Sequence, residues 1–196
     1  MHFYKQTNHV ILCSTAGRTY LPDIYKNLNI GRFRPCSYSA LTQRYINPKA
    51  TMILFSTGNI TSMGSSTFFG AMRVLFKLKT DLNLKIINIK LTNIVVNFNF
   101  SHLGVVDMQA LYEKNRGFCT YDPSIFPCLT YAIENKKIKA NIFSSGAAVI
   151  TGCKDKESIN ESIQIVLSKI KESVSTVDTN RGKTAILLDI SNDGIN

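Results

Sequence analysis

Tryptophan is missing from this chain, and acid is nearly missing from its first 106 residues, where only Asp23 and Asp81 face twelve lysines and arginines. No uncharged apolar run approaches the roughly 20 residues that span a bilayer. The opening MHFYKQTNHV has no apolar signal-peptide core, so a soluble, intracellular protein without membrane association is expected. Cys13, Cys36, Cys119, Cys128 and Cys153 are odd in number and never form a C-x-x-C pair. A disulfide framework and a zinc knuckle are therefore not expected, and the thiols read as reduced. His2, His9 and His102 lack metal-ligand spacing, there is no glycine-rich phosphate loop, and Asp107 and Asp122 do not form an obvious acid/base pair. A thiol enzyme built on Cys153 would need a base that the sequence does not show. Neither an enzyme nor a metal or other cofactor is expected.

With 44% apolar and 18% charged residues among 196, the chain has material for a real core. The formal charge is +10, all of it carried by the first half; residues 107–196 hold 11 charges of each sign. Such a balance favours a polyanionic partner, because neutralising phosphates releases condensed counterions. A solvated basic face explains the charge equally well, and composition does not choose among DNA, RNA and membrane.

Laid over itself with an offset of 88, the sequence matches at nine of the thirty positions from Pro35/Pro123 to Gly64/Gly152, among them Leu41/Leu129, Phe55/Phe143, Ser56/Ser144 and Gly58/Gly146. An offset of 85 places TNHV at 7–10 over TNIV at 92–95. Two repeats are expected, 1–84 and 85–173, followed by an extension at 174–196 that is either a flexible tail or a partner-binding strand built on AILLDI.

Each copy reads as strand, short helix, strands and closing helix. TNHVILCS and KLTNIVVNFNF are strand-like. Short helices are expected around 23–28 and 107–115. TMILF-STG-NITSM and IKANIF-SSG-AAVIT read as hairpins turning at Gly58 and Gly146. The closing helices carry apolar stripes, Phe68, Phe69, Met72, Leu75, Phe76 and Leu82 in one, Ile159, Ile163, Val166, Leu167 and Ile170 in the other.

Strand alternation puts Met52, Leu54, Ala140, Ile142, Ala148 and Ile150 under those helices. The opposite face then carries Asn8, Val10, Ile53, Phe55, Asn93, Val95, Asn141, Phe143, Val149 and Thr151. Either it is covered by another layer or a second copy, or it is a broad uncharged surface open to a ligand. Aliphatic, Phe, Asn and Thr side chains with basic margins suit the DNA minor groove.

These residues match a known family. YDPSIFP at 121–127 and NIFSSGAAVITGCK at 141–154 resemble the Y-E-P-E-L-F-P stirrup and the I-F-x-S-G-K-x-V-x-T-G-A-K hairpin of the TATA-box-binding proteins; LFSTGNITSMG at 54–64 and RPCSY at 34–38 are weaker first-repeat counterparts. The resemblance covers residues about 5–172. It implies an α+β saddle, a curved antiparallel sheet of two pseudo-symmetric repeats with helices on the convex face. It further implies a transcription initiation factor that bends A/T-rich double-stranded promoter DNA through its minor groove and recruits a IIB-like initiation factor and RNA polymerase. Phe126 with Phe143 and Tyr38 with Phe55 become intercalating pairs, and Asn8 and Asn93 the central amides. Val10, Ile53, Val95, Val149 and Thr151 line the groove, while Arg44, Lys49 and Lys154 lie beside the backbone. Asp122, Ser124 and Ile125 fall on the stirrup that meets the initiation factor.

The chain departs from the family pattern at Tyr38 for a phenylalanine, Met63 for a threonine, Lys139 and Asn141 for aliphatics, Ala132 for an arginine, and Asn59, Ser66 and Ala147 for lysines. Weaker, more salt-sensitive or altered DNA binding is expected, by a monomer or weak homodimer. Its compartment is the nucleus, or a cytoplasmic viral factory if the source is a virus. The competing reading is an interaction scaffold of the same fold that has weak or lost DNA binding.

Overall fold

The computed structural model describes residues 5–26, 31–34, 38–134 and 136–173, so the expected 174–196 extension lies outside the described residues. β1 (Lys5–Thr15), α1 (Leu21–Lys26), β2 (Gly31–Arg34), β3 (Tyr38–Tyr45), β4 (Ala50–Phe55), β5 (Asn59–Ser65) and α2 (Phe68–Asp81) come first. β6 (Ile86–Asn99), α3 (Met108–Lys114), β7 (Cys119–Tyr121), β8 (Cys128–Ala132), β9 (Lys139–Phe143), β10 (Ala147–Cys153) and α4 (Lys156–Lys171) follow, with a 3-10 turn at Ser101–Leu103.

The ten strands form one antiparallel sheet in the order β2-β3-β4-β5-β1-β6-β10-β9-β8-β7. The long strands β1 and β6 lie side by side at its middle. Strand pairing reproduces the offsets read from the sequence: Thr42 opposes Ile53 and Thr130 opposes Asn141, each member 88 residues from its counterpart. Across the middle, Leu12 opposes Thr61 while Asn97 opposes Val149, carrying the 85-residue offset.

Both hairpins turn at glycines in the left-handed region. At Gly146, φ is +85° and an added Cβ would sit 2.6 Å from Ser101 Cα, so the turn demands glycine for its backbone angle and for room.

One face of the sheet is covered by helices. Met52, Leu54, Ala140, Ile142, Ala148 and Ile150 are essentially inaccessible there, as expected from alternation. They belong to two apolar clusters, one under α2 with Leu41, Ile60, Val74 and Leu78, the other under α4 with Val96, Leu129, Val166 and Ile170. Burying each such aliphatic stabilises the fold by about 1.5–3 kcal/mol before entropy is counted.

In α4 the expected stripe is the buried one, and a capping box starts the helix, with Asp155 Oδ1 accepting from Ser158 N at 2.7 Å. In α2 only half of the expected stripe faces the sheet: Leu75 is buried and Met72 and Leu82 pack against the cluster, but the three phenylalanines turn outward. Ala71, Val74, Leu75 and Leu78 are buried, whereas Phe69 is 79% and Phe76 56% exposed. Only a short link joins β5 to α2, and Thr67 caps the helix through Gly70 N at 3.0 Å. That anchored start turns the aliphatic side of the helix, not its rings, to the sheet.

Candidate nucleic-acid interface

The second face of the sheet carries no covering layer among the described residues. Asn8, Val10, Ile53, Phe55, Asn93, Val95, Asn141, Phe143, Val149 and Thr151 are all half-buried. Among the described residues no other layer of the chain seals this face, since alternation assigns the helices' apolar partners to the other side. Cross-strand pairing extends the surface to residues that sequence reasoning did not single out. Thr42, Ile53, Thr61 and Leu12 form one row across β3, β4, β5 and β1. Thr130, Asn141, Val149 and Asn97 form its counterpart across β8, β9, β10 and β6. The two internal offsets were the signal that locates Leu12 and Asn97 at matched positions.

At the middle of the face, Asn8 opposes Val95 and Val10 opposes Asn93. The Asn93 amide has its orientation fixed. The pairing of β6 with β10 slips between Ile150 and Cys153, and at that irregularity Gly152 N donates to Asn93 Oδ1 at 2.7 Å. A backbone N–H can only donate, so the amide oxygen is occupied and the two amide hydrogens are the end left for a ligand. Gly152 sits there with φ +101°, and an added Cβ would lie 2.3 Å from Lys137 O, so no side chain fits.

Phe143 ends β9 opposite Cys128. Phe126 comes from the loop before β8 and meets it edge-on, ring centroids 6.2 Å apart with planes at 74°. The sequence separation is 17 residues, so this contact is made by the fold. The loop itself is built as a tight turn: Phe126 N donates to Asp122 O at 3.0 Å, and Ser124 N and Oγ donate to Asp122 Oδ1 at 3.1 and 2.6 Å. Those two bonds from Ser124 hold the Asp122 carboxyl below its usual range. Ile125 stands 82% exposed and Phe126 55% exposed beside it. In the first repeat, Phe55 ends β4 opposite Ala40. Tyr38 opens β3, but its side chain lies outside the described residues.

Arg44, Lys49 and Lys154 are exposed. Arg44 opposes Thr51 on the open face, and Lys49 lies in the turn before β4. Lys139, opposite Thr151 and already a departure from the family's aliphatic at this face, and Lys90, opposite Leu12, which the sequence reading did not place at the site, add basic groups. Among the described residues, ion pairs join Lys26 to Asp23, Arg116 to Glu113, Lys136 to Glu161 and Lys169 to Glu172, so these five cations are unengaged by described carboxylates. The face is uncharged in its middle and basic at intervals along its borders.

Cys13, Cys119, Cys128 and Cys153 are free thiols, and burial pushes Cys13 and Cys119 up to about 11. Thiols held protonated at neutral pH are poor nucleophiles. Among the described residues no group of His, Cys, Asp and Glu is placed to hold a metal ion, and no helix is long and apolar enough to cross a membrane.

Residues 88–173 match the sequence model of the family described as "Transcription factor TFIID (or TATA-binding protein, TBP)". The chain is 26% identical over 166 residues to TATA-box-binding protein 2 of Entamoeba histolytica, covering 79% of this chain and 76% of that one. It is 27% identical over 165 residues to the TATA-box-binding protein of Tetrahymena thermophila, covering 82% and 66%. To TATA-box-binding protein 3 of Methanosarcina acetivorans it is 28% identical over 170 residues, covering 80% and 89%. Among solved structures, Methanococcus jannaschii TBP superposes with a TM-score of 0.70 at 25% identity, over 86% of this chain and 98% of the other. The sheet with its helices on one face is thus the saddle of that structure.

Proposed function

Since the chain belongs to the TATA-box-binding protein family as a divergent member, and so is a transcription factor and not an enzyme, we propose that it binds A/T-rich promoter DNA in the minor groove and bends it. The two repeats, 1–84 and 85–173, each supply half of the contact face. The observation that carries this reading is the open face itself, an uncharged surface with an amide whose donors point outward and a pair of accessible rings at one end.

The chemistry fits the minor groove in three ways. A·T pairs offer only acceptors there, adenine N3 and thymine O2, to which Asn8 and the preset Asn93 amide donate, while Val10, Val95 and Val149 leave a guanine amino group without a partner. Phe126 and Phe143, with Tyr38 and Phe55 at the other end, enter base steps; unstacking costs about a few kcal/mol per step and is offset by the extra surface a bent duplex contacts. Arg44, Lys49, Lys154 and the two further lysines take phosphates, which makes the affinity salt-dependent.

Asp122, Ser124 and Ile125 present a rigid, exposed turn to a IIB-like initiation factor, through which RNA polymerase is recruited. The relatives named above come from an amoeba, a ciliate and an archaeon, and none supports a viral source or a cytoplasmic factory; in a eukaryotic cell the site of action is the nucleus.

The test is a titration of A/T-rich and G/C-rich duplexes across salt concentrations, with a distance reporter on the duplex ends. The wild type is expected to prefer A/T and to shorten the end-to-end distance; Phe143→Ala is expected to bind less well and bend less. Equal bending by both proteins removes the wedge assignment. Absence of any shift at low salt favours the interaction scaffold, consistent with the non-basic Asn59, Ser66 and Ala147.

A further inference from the structure

The two halves of the open face share a backbone and differ in chemistry. In the first row Thr42, Ile53, Thr61 and Leu12 face the ligand; at matched positions in the second row stand Thr130, Asn141, Val149 and Asn97. Two aliphatic positions have become amides, and one hydroxyl has become a valine.

Asn141 is also held. Thr130 Oγ donates to Asn141 Oδ1 at 3.0 Å, from the neighbouring strand and on the same face. Both atoms are oxygens, so the hydroxyl must supply the proton. The arrangement repeats what Gly152 does to Asn93: the amide oxygen is engaged inside the protein, and the amide hydrogens are left outward. A merely solvated asparagine needs no such partner, and an aliphatic residue at the same place, as Ile53 shows, satisfies the fold.

We propose that Asn141, positioned by Thr130, is a base-reading donor, and that it makes the second repeat read an acceptor in the minor groove at the place where the first repeat has the apolar Ile53. This rests on the DNA-binding reading above. Because the second repeat has this outer donor where the first has Ile53, the two ends of an A/T-rich site are not equivalent to the protein, and it seats in one polarity. The ligand group recognised is adenine N3 or thymine O2 in the half under β8, β9 and β10.

Replacing adenine singly by 3-deazaadenine removes one minor-groove acceptor while leaving the base pair intact. Each adenine of an asymmetric A/T-rich duplex is replaced in turn, and affinity and bending are measured for the wild type and for Asn141→Ile, which installs the residue of the matched position. Outside the centre read by Asn8 and Asn93, the wild type is expected to lose about fivefold in affinity, the worth of one hydrogen bond, at adenines confined to one half. Asn141→Ile is expected to lose nothing at those adenines while still sensing the acceptor read by Asn93. Identical profiles for the two proteins, or sensitive adenines outside the centre spread evenly over both halves, with A/T-dependent bending intact, overturn this inference alone. If neither protein prefers A/T duplex at low salt, the DNA-binding reading falls and takes the inference with it.

Discussion

Asn93 has two jobs that pull apart under substitution. Its oxygen accepts from Gly152 N at 2.7 Å, and its amide hydrogens face the open surface. Asn93→Ala removes both. Losing the bond to a half-buried N–H costs about 1 kcal/mol, which in a chain of this size lowers Tm by roughly 2–4 °C. Asn93→Asp keeps an acceptor for Gly152, now a charged one, and stability is expected to stay within about 0.5 kcal/mol of wild type. On DNA the order reverses. Both variants lose the donors, about 2 kcal/mol or close to 30-fold, but the carboxylate also faces base acceptors and phosphates, so Asn93→Asp binds more weakly than Asn93→Ala. The gap narrows as salt rises, because the added repulsion is screened. Thermal unfolding and fluorescence anisotropy at two salt concentrations check both orders. If the two variants rank the same way in stability and in binding, or if Asn93→Asp binds as wild type does, the preset donor is wrong.

Three further outcomes follow from the packing. Leu78→Ala, at a wholly buried position of α2, is expected to cost about 2–5 kcal/mol in urea unfolding, whereas Phe76→Ala, 56% exposed, costs less than about 1 kcal/mol; the reverse order would restore the aromatic stripe as the packed side. Gly146→Ala meets both a left-handed angle and Ser101 at 2.6 Å, and is expected to lose more than about 3 kcal/mol, while Gly64→Ala, at φ +87° with nothing near its added Cβ, loses only the backbone strain of about 1–2 kcal/mol. The thiols of Cys13 and Cys119, pushed up to about 11 by burial, keep protons that the unfolded chain gives up near pH 8.5. Their contribution is therefore complete below about pH 8.5 and is lost as pH rises toward 11; a Cys13→Ala, Cys119→Ala variant is expected to flatten that alkaline decline.

What the linear chain determined on its own is whatever depends on short periods and on its internal offset. Alternation at period two assigned Met52, Leu54, Ala140 and Ile142 to the helices and Ile53, Phe55, Asn141 and Phe143 to the open face, because a strand allows no other division. The two offsets placed matched strands at matched positions in the sheet. The phase of α4 was legible because its aliphatics sit on one face and its charges on the other. The tertiary structure decided the rest. In α2 apolar residues surround more of the helix, so periodicity offered more than one face, and the short capped link from β5 selected Ala71, Val74, Leu75 and Leu78. Which end of the Asn93 and Asn141 amides faces outward was settled by Gly152, 59 residues along the chain, and by Thr130 on an adjacent strand; Phe126 reaches Phe143 only because the Asp122 turn folds the loop back. Such choices turn on contacts between distant segments, for which local sequence carries no energetic preference.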